Sequence, residues 1–424
     1  MTRLLVLFVT AFVDMVGLTM IIPLLPFYAT ELGASATVVG LLVSAFAVAQ
    51  LAVAPVWGRF SDRYGRRPAI LAGLLLTGSA HVIFAFAGSV LVLLISRLVQ
   101  GAGGGTIGVV QAYVADASRP EERTKSLGWL SAVTSLGAVA GPAFGSAMIS
   151  LGGRTAPGLA AALLSLLVAG FAARFLVESH TPVAAGSHAG GSTTSPRRAI
   201  GRVLTHWHEP ASRLIWIYTI GIGAFYGTIQ VVPLLLMNRL NVTEHNIGYF
   251  VMYLGGMGVV IRSLLLGRAV DRLGEARLSR LGLLLLAAGL ACTGLARHGG
   301  LFFLGFTLMP LGTAFLFPCV TGLLSRVVPD TERGLYMGVQ HTFGGASRVL
   351  FPVAAGILMD RFGVGVPFWL AALLVLATLP FAWALADSLA PETPATAAVR
   401  MVSSADVTGE FPVEKVVEEG SAGR

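Results

Sequence analysis

Residues 58–67 have the sequence GRFSDRYGRR, which recurs in altered form as GRAVDRLG at residues 267–274. The two copies are 209 residues apart in a chain of 424 residues. Each copy lies between two long apolar stretches, which places both in loops that join one predicted membrane span to the next. The offset is close to half the chain length, and it indicates that the chain consists of two related halves.

A second set of residues supports the duplication. Glu122-Arg123 and Pro142 recur as Glu332-Arg333 and Pro352, with an offset of 210 residues. Two separate segments with nearly the same offset predict an arrangement of six plus six spans. That organisation is typical of transporters whose halves rock around a site near the midplane of the membrane.

The composition excludes a soluble fold. Apolar residues make up 55% of the chain, charged residues make up only 12%, and the mean hydropathy is +0.79. A soluble protein of this length needs about twice that share of charged residues on its surface. The apolar runs are long and do not alternate with polar residues, which disfavours a transmembrane β-barrel. The predicted fold class is an all-α polytopic membrane protein with 12 transmembrane helices in two pseudo-symmetric six-helix bundles.

Twelve stretches are long enough to cross a membrane, which takes about 20 residues of helix. They are predicted at residues 4–30, 37–57, 68–88, 90–114, 125–150, 157–177, 213–237, 246–266, 278–297, 300–326, 334–359 and 366–387. The predicted domains are therefore an N-terminal bundle at 1–178, a cytoplasmic linker loop at 179–211, a C-terminal bundle at 212–387 and a disordered tail at 388–424.

The basic residues predict the orientation. With both termini in the cytoplasm, the inner loops and tails hold 22 of the 29 Lys and Arg residues and the outer loops hold four. This distribution follows the positive-inside rule. The net charge of +8 thus reflects the orientation of the chain in the membrane and gives no reason to expect nucleic-acid binding. Only two lysines occur, Lys125 and Lys415, and neither stands in a phosphate-binding Gly-Lys-Ser/Thr motif.

At these residues the chain resembles the major facilitator superfamily, and more narrowly it is similar to the twelve-span drug:proton antiporters. The resemblance rests on residues 58–68, on Asp14, Gly17, Pro23 and Pro26, on Arg97, Gln100 and Gly101, and on Gly137, Gly141, Pro142 and Gly145. The tetracycline exporters resemble the first third of the chain. They carry an acidic residue in the ninth span, however, and residues 278–297 contain none.

Asp14 is the one carboxylate that lies well inside a predicted span. A charge at the bilayer centre costs about 2.5–3.5 kcal/mol on insertion scales, so Asp14 is expected to face a cavity or a partner. Burial disfavours the ionised carboxylate, which makes Asp14 a candidate for loading and releasing protons. The resemblance implies that Arg97 influences proton transfer through a nearby acid. The alternatives are a static hydrogen-bonded Asp14 and an Arg97 that bonds only to backbone carbonyls.

The loop at 58–67 is predicted to serve as a cytoplasmic gate. Its expected residues are Gly58, Asp62, Arg63, Gly65, Arg66 and Arg67, together with Asp271 of the second copy. Asp62 is expected at the start of a helical turn, where it can accept backbone or Arg hydrogen bonds. The resemblance implies that it latches the halves on the cytoplasmic side when the site faces outward. The alternative is a loop that only fixes orientation.

The fifth span carries Gly137, Gly141 and Gly145 on one helix face, with Pro142 beside them. Small residues at this spacing allow a close helix crossing. The resemblance implies an additional role of this helix in antiport. Substrate contacts are expected from aromatic and amide side chains of the inner spans, because such groups suit flat amphipathic ligands. The candidates are Gln111, Phe225, Tyr226, Gln230, Tyr253, Phe315, Gln340 and His341.

The predicted function is secondary active transport, in which proton antiport drives export of hydrophobic or amphipathic small molecules. The protein is expected to act as a monomer in the cytoplasmic membrane, to need no cofactor or metal, and to use the proton as coupling ion. Two alternatives stay open. One is an exporter of a specific endogenous metabolite or an uncoupled facilitator; the other is a polytopic membrane enzyme or a non-transporting binding protein.

Overall fold

The computed structural model describes residues 2–179 and 195–388. Within these ranges twelve helical segments are long and apolar enough to cross a membrane, which confirms the predicted number of spans. Numbered in chain order, spans 1 to 12 are Leu4–Glu31, Ala36–Tyr64, Arg66–Ala85, Val90–Ala117, Arg123–Gly152, Ala156–Phe175, Pro210–Leu240, Ile247–Leu264, Leu266–Leu295, Gly299–Val327, Arg333–Phe362 and Val366–Ala384.

Four spans are interrupted rather than continuous. Span 1 consists of the helices Thr2–Ile21 and Leu25–Glu31, with a 3₁₀ turn between them. Span 4 is divided into Val90–Gly104 and Ile107–Ala117, span 9 bends at Gly274, and span 12 is divided into Val366–Ala377 and Leu379–Ser388. These breaks were not predicted from hydropathy, because an apolar stretch has the same composition whether or not its helix is continuous.

The linker between the halves contains a helix that the sequence did not predict. Residues Pro196–Thr205 form a ten-residue helix, which Ser195 caps by accepting a hydrogen bond from the backbone nitrogen of Arg198. Ala199 and Val203 of this helix are fully buried against the second half. The Gly- and Ser-rich part of the predicted loop, and the tail predicted to be disordered, lie outside the described residues.

The duplication is visible in the backbone. Gly65 and Gly274, which are 209 residues apart, both have positive φ, with values of 104° and 73° and nearly equal ψ. Gly153 and Gly363, which are 210 residues apart, also have positive φ, with values of 70° and 102°. Glycine adopts this conformation without the strain that a side chain would cause. The two halves therefore turn the chain in the same way at equivalent positions.

The bundle has two ends, which are named here by their loops. The basic face is the end at which spans 2 and 3 join through Gly65, next to Arg66 and Arg67. The opposite face is the end at which spans 1 and 2 join near Ser35. Odd-numbered spans run from the basic face to the opposite face, and even-numbered spans return.

The two halves meet along two helix pairs, span 2 with span 11 and span 5 with span 8. A methyl group on Gly40 would lie 2.3 Å from the carbonyl oxygen of Pro352, and one on Gly248 would lie 1.9 Å from that of Pro142. These two contacts are related by the duplication. Both lie in the part of the bundle next to the opposite face, so the halves are packed against each other there.

Candidate functional site

A cavity of about 570 Å³ lies within the first half, between spans 1, 3, 4 and 5. Most of its lining is apolar, and hydroxyl and amide groups supply the polar part. The lining residues are Ala11, Asp14, Met15, Leu18, Thr77, Gly104, Thr106, Ile107, Val110, Gln111, Ala112, Ala115, Leu127, Leu130, Ser131 and Thr134. Gln111 and Ser131 are exposed, which shows that the cavity communicates with the surroundings.

Asp14 is the one ionisable residue among those that line this cavity. Its Oδ1 atom is buried and has no hydrogen-bond partner, whereas the rest of the side chain borders the empty space. A buried carboxylate oxygen without a partner loses the hydration that stabilises its charge. The arrangement leaves Asp14 free to take up a proton or to pair with a positively charged ligand.

The break in span 4 shapes the same cavity. Gly105 and Thr106 form a tight turn between the two helices, and the Thr106 nitrogen donates to the carbonyl oxygen of Gly103 instead of that of Ala102. Span 2 supplies partners for two carbonyls at the break. The indole nitrogen of Trp57 donates to Ala102 over 2.7 Å, and the amide of Gln50 donates to Gly104 over 3.1 Å.

Arg97 belongs to a polar network beside the cavity. The side chain is 3% exposed, donates to the amide oxygen of Gln100, and lies over the ring of Phe46 with its Cζ 5.1 Å from the ring centre. The amide nitrogen of Gln100 lies 3.0 Å from Nε2 of His81, whose Nδ1 lies 3.4 Å from the hydroxyl of Ser165. Arg97 thus bonds to a side chain, and its Nε has no partner.

Arg97 does not form an ion pair with Asp14, although both side chains are described. The network approaches span 1 at His81, because a methyl group on Gly17 would lie 3.6 Å from Cε1 of its ring. Gly17 lies one helical turn beyond Asp14. The predicted influence of Arg97 on Asp14 therefore requires an electrostatic effect through space or an effect through the backbone of span 1. This influence stays a prediction.

The glycine face of span 5 packs directly on the backbone of span 1. A methyl group on Gly137 would lie 2.7 Å from the carbonyl oxygen of Phe12, and one on Gly145 would lie 2.3 Å from that of Met20. Between them, the hydroxyl of Thr19 lies 3.4 Å from the carbonyl oxygen of Gly137. The span that carries Asp14 is thus held against span 5 over two helical turns, as the spacing of small residues predicts.

The loop between spans 2 and 3 is tied to its own half. Nη1 of Arg66 lies 2.6 Å from Oδ1 of Asp62, and its Nε lies 3.2 Å from Oδ2 of Asp116. Asp62 stands in the last turn of span 2, so the expectation that it begins a helical turn was wrong. The carboxylate of Glu178 accepts hydrogen bonds of 2.9 and 3.1 Å from the backbone nitrogens of Arg66 and Arg67.

The other predicted gate residues make fewer contacts in this conformation. Arg63 lies over the ring of Tyr64 at 5.4 Å, and a methyl group on Gly58 would meet no atom within 4 Å. Asp271 is exposed and forms no ion pair with a described residue. The side chain of Asp62 is 63% exposed. Among the described residues, these side chains therefore form no latch between the halves at the basic face, and their proposed role concerns another conformation.

One of the eight predicted substrate contacts lines the cavity, namely Gln111. The other seven lie in the second half. Phe315 and Gln340 are buried, Tyr226 and His341 are exposed, and Phe225, Gln230 and Tyr253 are half-buried. Tyr226 lies beneath Arg348, whose Cζ is 4.7 Å from the ring centre.

Sequence reasoning missed Trp57, Gln50, Thr106 and the hydroxyl groups of Ser131 and Thr134. One signal was present for the break itself, because Gly103, Gly104 and Gly105 follow one another inside an apolar span. Consecutive glycines weaken a helix. The side chains that stabilise the break come from another span, and no local pattern identifies them.

A family model described as Major Facilitator Superfamily matches residues 7–264 and 214–415. Among curated proteins, the chain is 28% identical over 389 residues to multidrug resistance protein 2 of Bacillus subtilis, covering 89% of this chain and 94% of that protein. It is 26% identical over 366 residues to the class B tetracycline resistance protein of Escherichia coli, with 85% and 88% covered.

Solved structures show the same fold. The human organic anion transporter MFSD10 (TETRAN) aligns with a TM-score of 0.64 at 23% identity, covering 90% of this chain and 99% of that one. A transporter of the POT family, solved with 5-aminolevulinic acid, aligns with a TM-score of 0.74 at 14% identity, covering 92% and 96%.

Proposed function

Because the chain belongs to the major facilitator superfamily and is a multi-pass membrane transporter, not an enzyme, we propose that it exports hydrophobic or amphipathic small molecules in exchange for protons. The relatives named for multidrug and tetracycline resistance cover most of this chain, which supports drug efflux as the activity. The absence of an acidic residue from residues 278–297, the stretch predicted as the ninth span, disfavours tetracycline as the particular substrate.

The observation that carries the proposal is the unpartnered Oδ1 of Asp14 in the wall of the cavity. A proton that binds this carboxylate removes the uncompensated charge, and a substrate that enters the cavity displaces water from the same space. Binding of a proton and binding of a substrate are thus in competition, because both change the surroundings of the Asp14 carboxylate. Alternation between them couples efflux of the substrate to entry of the proton.

The lining of the cavity suits an amphipathic molecule. Methionine, leucine, isoleucine and valine side chains supply apolar surface, whereas Thr77, Gln111, Ser131 and Thr134 supply hydroxyl and amide groups. A predominantly apolar pocket with few polar groups binds by burial of surface and tolerates ligands of different shape. Breadth of substrate range follows from this chemistry. Neither a metal nor another cofactor is required, and the protein is proposed to act as a monomer.

Alternating access follows from the packing between the halves. With the termini in the cytoplasm, as the distribution of basic residues predicts, the seam at the opposite face closes the outer side. The cavity is then accessible from the inner side, where a substrate is loaded. When the halves rock and the basic face closes, Asp62 is placed to latch it, and its present exposure leaves the carboxylate available for a new partner.

Transport by purified protein in proteoliposomes tests the proposal against its alternatives. A panel of lipophilic cations, neutral drugs and small metabolites is loaded, and efflux is measured with and without a proton gradient. Proton antiport predicts efflux of several unrelated drugs that stops when an uncoupler collapses the gradient. Transport of a single metabolite class identifies a dedicated exporter. Drug flux that is unchanged by the uncoupler identifies a facilitator. Either result contradicts the proposal.

A further inference from the structure

Among the described residues, a carboxylate takes part in the hydrogen bonding across the seam at the opposite face. Asp360, near the end of span 11, accepts hydrogen bonds from the first residues of span 2, in the other half of the molecule. Its Oδ1 lies 2.9 Å from the backbone nitrogen of Ala36, and its Oδ2 lies 2.9 Å from the backbone nitrogen and 2.6 Å from the hydroxyl of Thr37. Both carboxylate oxygens are thus used across the seam.

These hydrogen bonds provide acceptors for backbone N–H groups at the beginning of span 2, which is a 29-residue helix. The first backbone N–H groups of a helix have no partner within the helix, and this end carries a partial positive charge. Ser35 caps span 2 from within the chain, where its hydroxyl accepts a hydrogen bond of 3.4 Å from the nitrogen of Val38. Asp360 supplies the partners for the two preceding nitrogens. Part of the cap of span 2 is therefore contributed by the opposite half.

The repeat-related contact differs in charge. Ser150 of span 5 is the equivalent of Asp360, because the two positions are 210 residues apart. Its hydroxyl lies 3.1 Å from Nδ1 of His245 at the beginning of span 8. Beside it, the hydroxyl of Ser146 donates to the carbonyl oxygen of Glu244 and accepts from the nitrogen of Gly248. At these equivalent positions, one side of the seam has neutral hydroxyls, whereas the other has a carboxylate with three donors.

We propose that Asp360 is a gating residue, whose carboxylate latches the opposite face shut by capping span 2 and releases it when the halves rock. All three hydrogen bonds are lost when span 11 leaves span 2, because donors and acceptor belong to different halves. The latch biases the closed state without locking it, since Asp360 is exposed and water replaces its partners after opening. The proposal rests on the alternating-access part of the proposed function and not on any particular substrate.

Distances across the opposite face test the latch. Spin labels on Gly88→Cys and Gly300→Cys, in a chain in which Cys292 and Cys319 are replaced by alanine, report the separation of the halves. Gly88 lies in a loop of that face and Gly300 in the first turn of span 10 at the same face, and an added Cβ atom meets no atom within 4 Å at either. Asp360→Ala is expected to raise the ratio of open to closed molecules about three- to tenfold, the effect of removing one good helix cap.

A matched control exists on the same face. Glu31 pairs with Arg154 at 2.7 Å, but both residues belong to the first half, so Glu31→Gln is expected to leave the ratio unchanged. Asp360→Asn and Thr37→Val keep the packing and remove part of the hydrogen bonding, and each is expected to give a smaller shift in the same direction.

An unchanged distance distribution in folded Asp360→Ala, or an equal shift in Glu31→Gln, overturns the latch. The measurement needs neither substrate nor a proton gradient. It therefore separates failure of this inference from failure of the proposed antiport: a chain with an intact latch and no drug-dependent proton flux contradicts only the latter.

Discussion

The indole nitrogen of Trp57 in span 2 donates a hydrogen bond of 2.7 Å to the carbonyl oxygen of Ala102, at the point where the helix of span 4 breaks. The break exposes carbonyl groups that a continuous helix would satisfy. Thr106, at the turn, lines the cavity that contains Asp14. Trp57 therefore stabilises the shape of the cavity, although its side chain is not part of the cavity lining.

Trp57→Phe is expected to weaken drug binding about fivefold, because loss of one hydrogen bond to a buried carbonyl costs about 1 kcal/mol. Equilibrium binding of a fluorescent drug to the detergent-solubilised protein measures this change. Trp129→Phe is the control, since Trp129 lies in span 5 with 57% of its surface exposed. Equal affinities of wild type and Trp57→Phe would show that the break does not depend on this bond.

Gly141→Ala is expected to lower the free energy of unfolding by about 1–3 kcal/mol through overpacking. The added methyl group would lie 2.1 Å from Oγ1 of Thr19 and 2.6 Å from the carbonyl oxygen of Val16, so span 1 must move away. Thermal unfolding in detergent, with Gly170→Ala beside it, measures the effect. At Gly170 the added atom meets nothing within 4 Å, and a comparable loss there would refute the packing argument.

Gln100→Met is expected to reduce proton-coupled efflux and to destabilise the first half, because it removes the partner of two buried groups at once. Arg97 loses its acceptor, and His81 loses the amide that lies 3.0 Å from Nε2. Leaving a buried polar group unsatisfied costs about 1–3 kcal/mol. Drug uptake into everted vesicles and thermal stability are compared with Asn238→Leu, at an exposed position of span 7. Normal proton-coupled transport in Gln100→Met would show that the hydrogen-bond network of Arg97, Gln100 and His81 plays no part in coupling.

Asp62→Asn is expected to slow turnover and to leave the equilibrium affinity for drug nearly unchanged. In this conformation Asp62 is exposed and bonds only to Arg66 of its own half, so its loss disturbs no contact of the cavity. The expected cost arises when the basic face closes. Asp330→Asn is the control, because Asp330 is an exposed acid of the same face that pairs with Arg333. A large loss of affinity with normal turnover would contradict a latch at Asp62.

The spans, the duplication and the position of Asp14 within span 1 could be predicted because each produces a pattern in a short stretch of sequence. Apolar length, a repeated loop and an isolated acid can all be read without knowing which helices touch. The close crossing of spans 1 and 5 was also predictable, since Gly137, Gly141 and Gly145 lie on one helix face.

The rest depends on contacts between distant segments. Trp57 acquires its role from a carbonyl 45 residues away, and Asp360 from nitrogens more than 320 residues away. Aromatic and acidic residues near span ends are common, and nothing in their neighbours distinguishes these two. The substrate candidates of the second half were chosen for chemistry alone. The described cavity lies in the first half, and of the eight substrate candidates it includes only Gln111.

The coupling role of Asp14 is tested by substrate-triggered proton movement in proteoliposomes, measured for wild type and Asp14→Asn with Asp330→Asn as control. Asn keeps the size of the side chain at the cavity wall but cannot exchange a proton. Antiport through Asp14 gives proton flux on addition of drug in wild type and Asp330→Asn, and none in folded, membrane-inserted Asp14→Asn. Drug-dependent proton flux that persists in Asp14→Asn would contradict it.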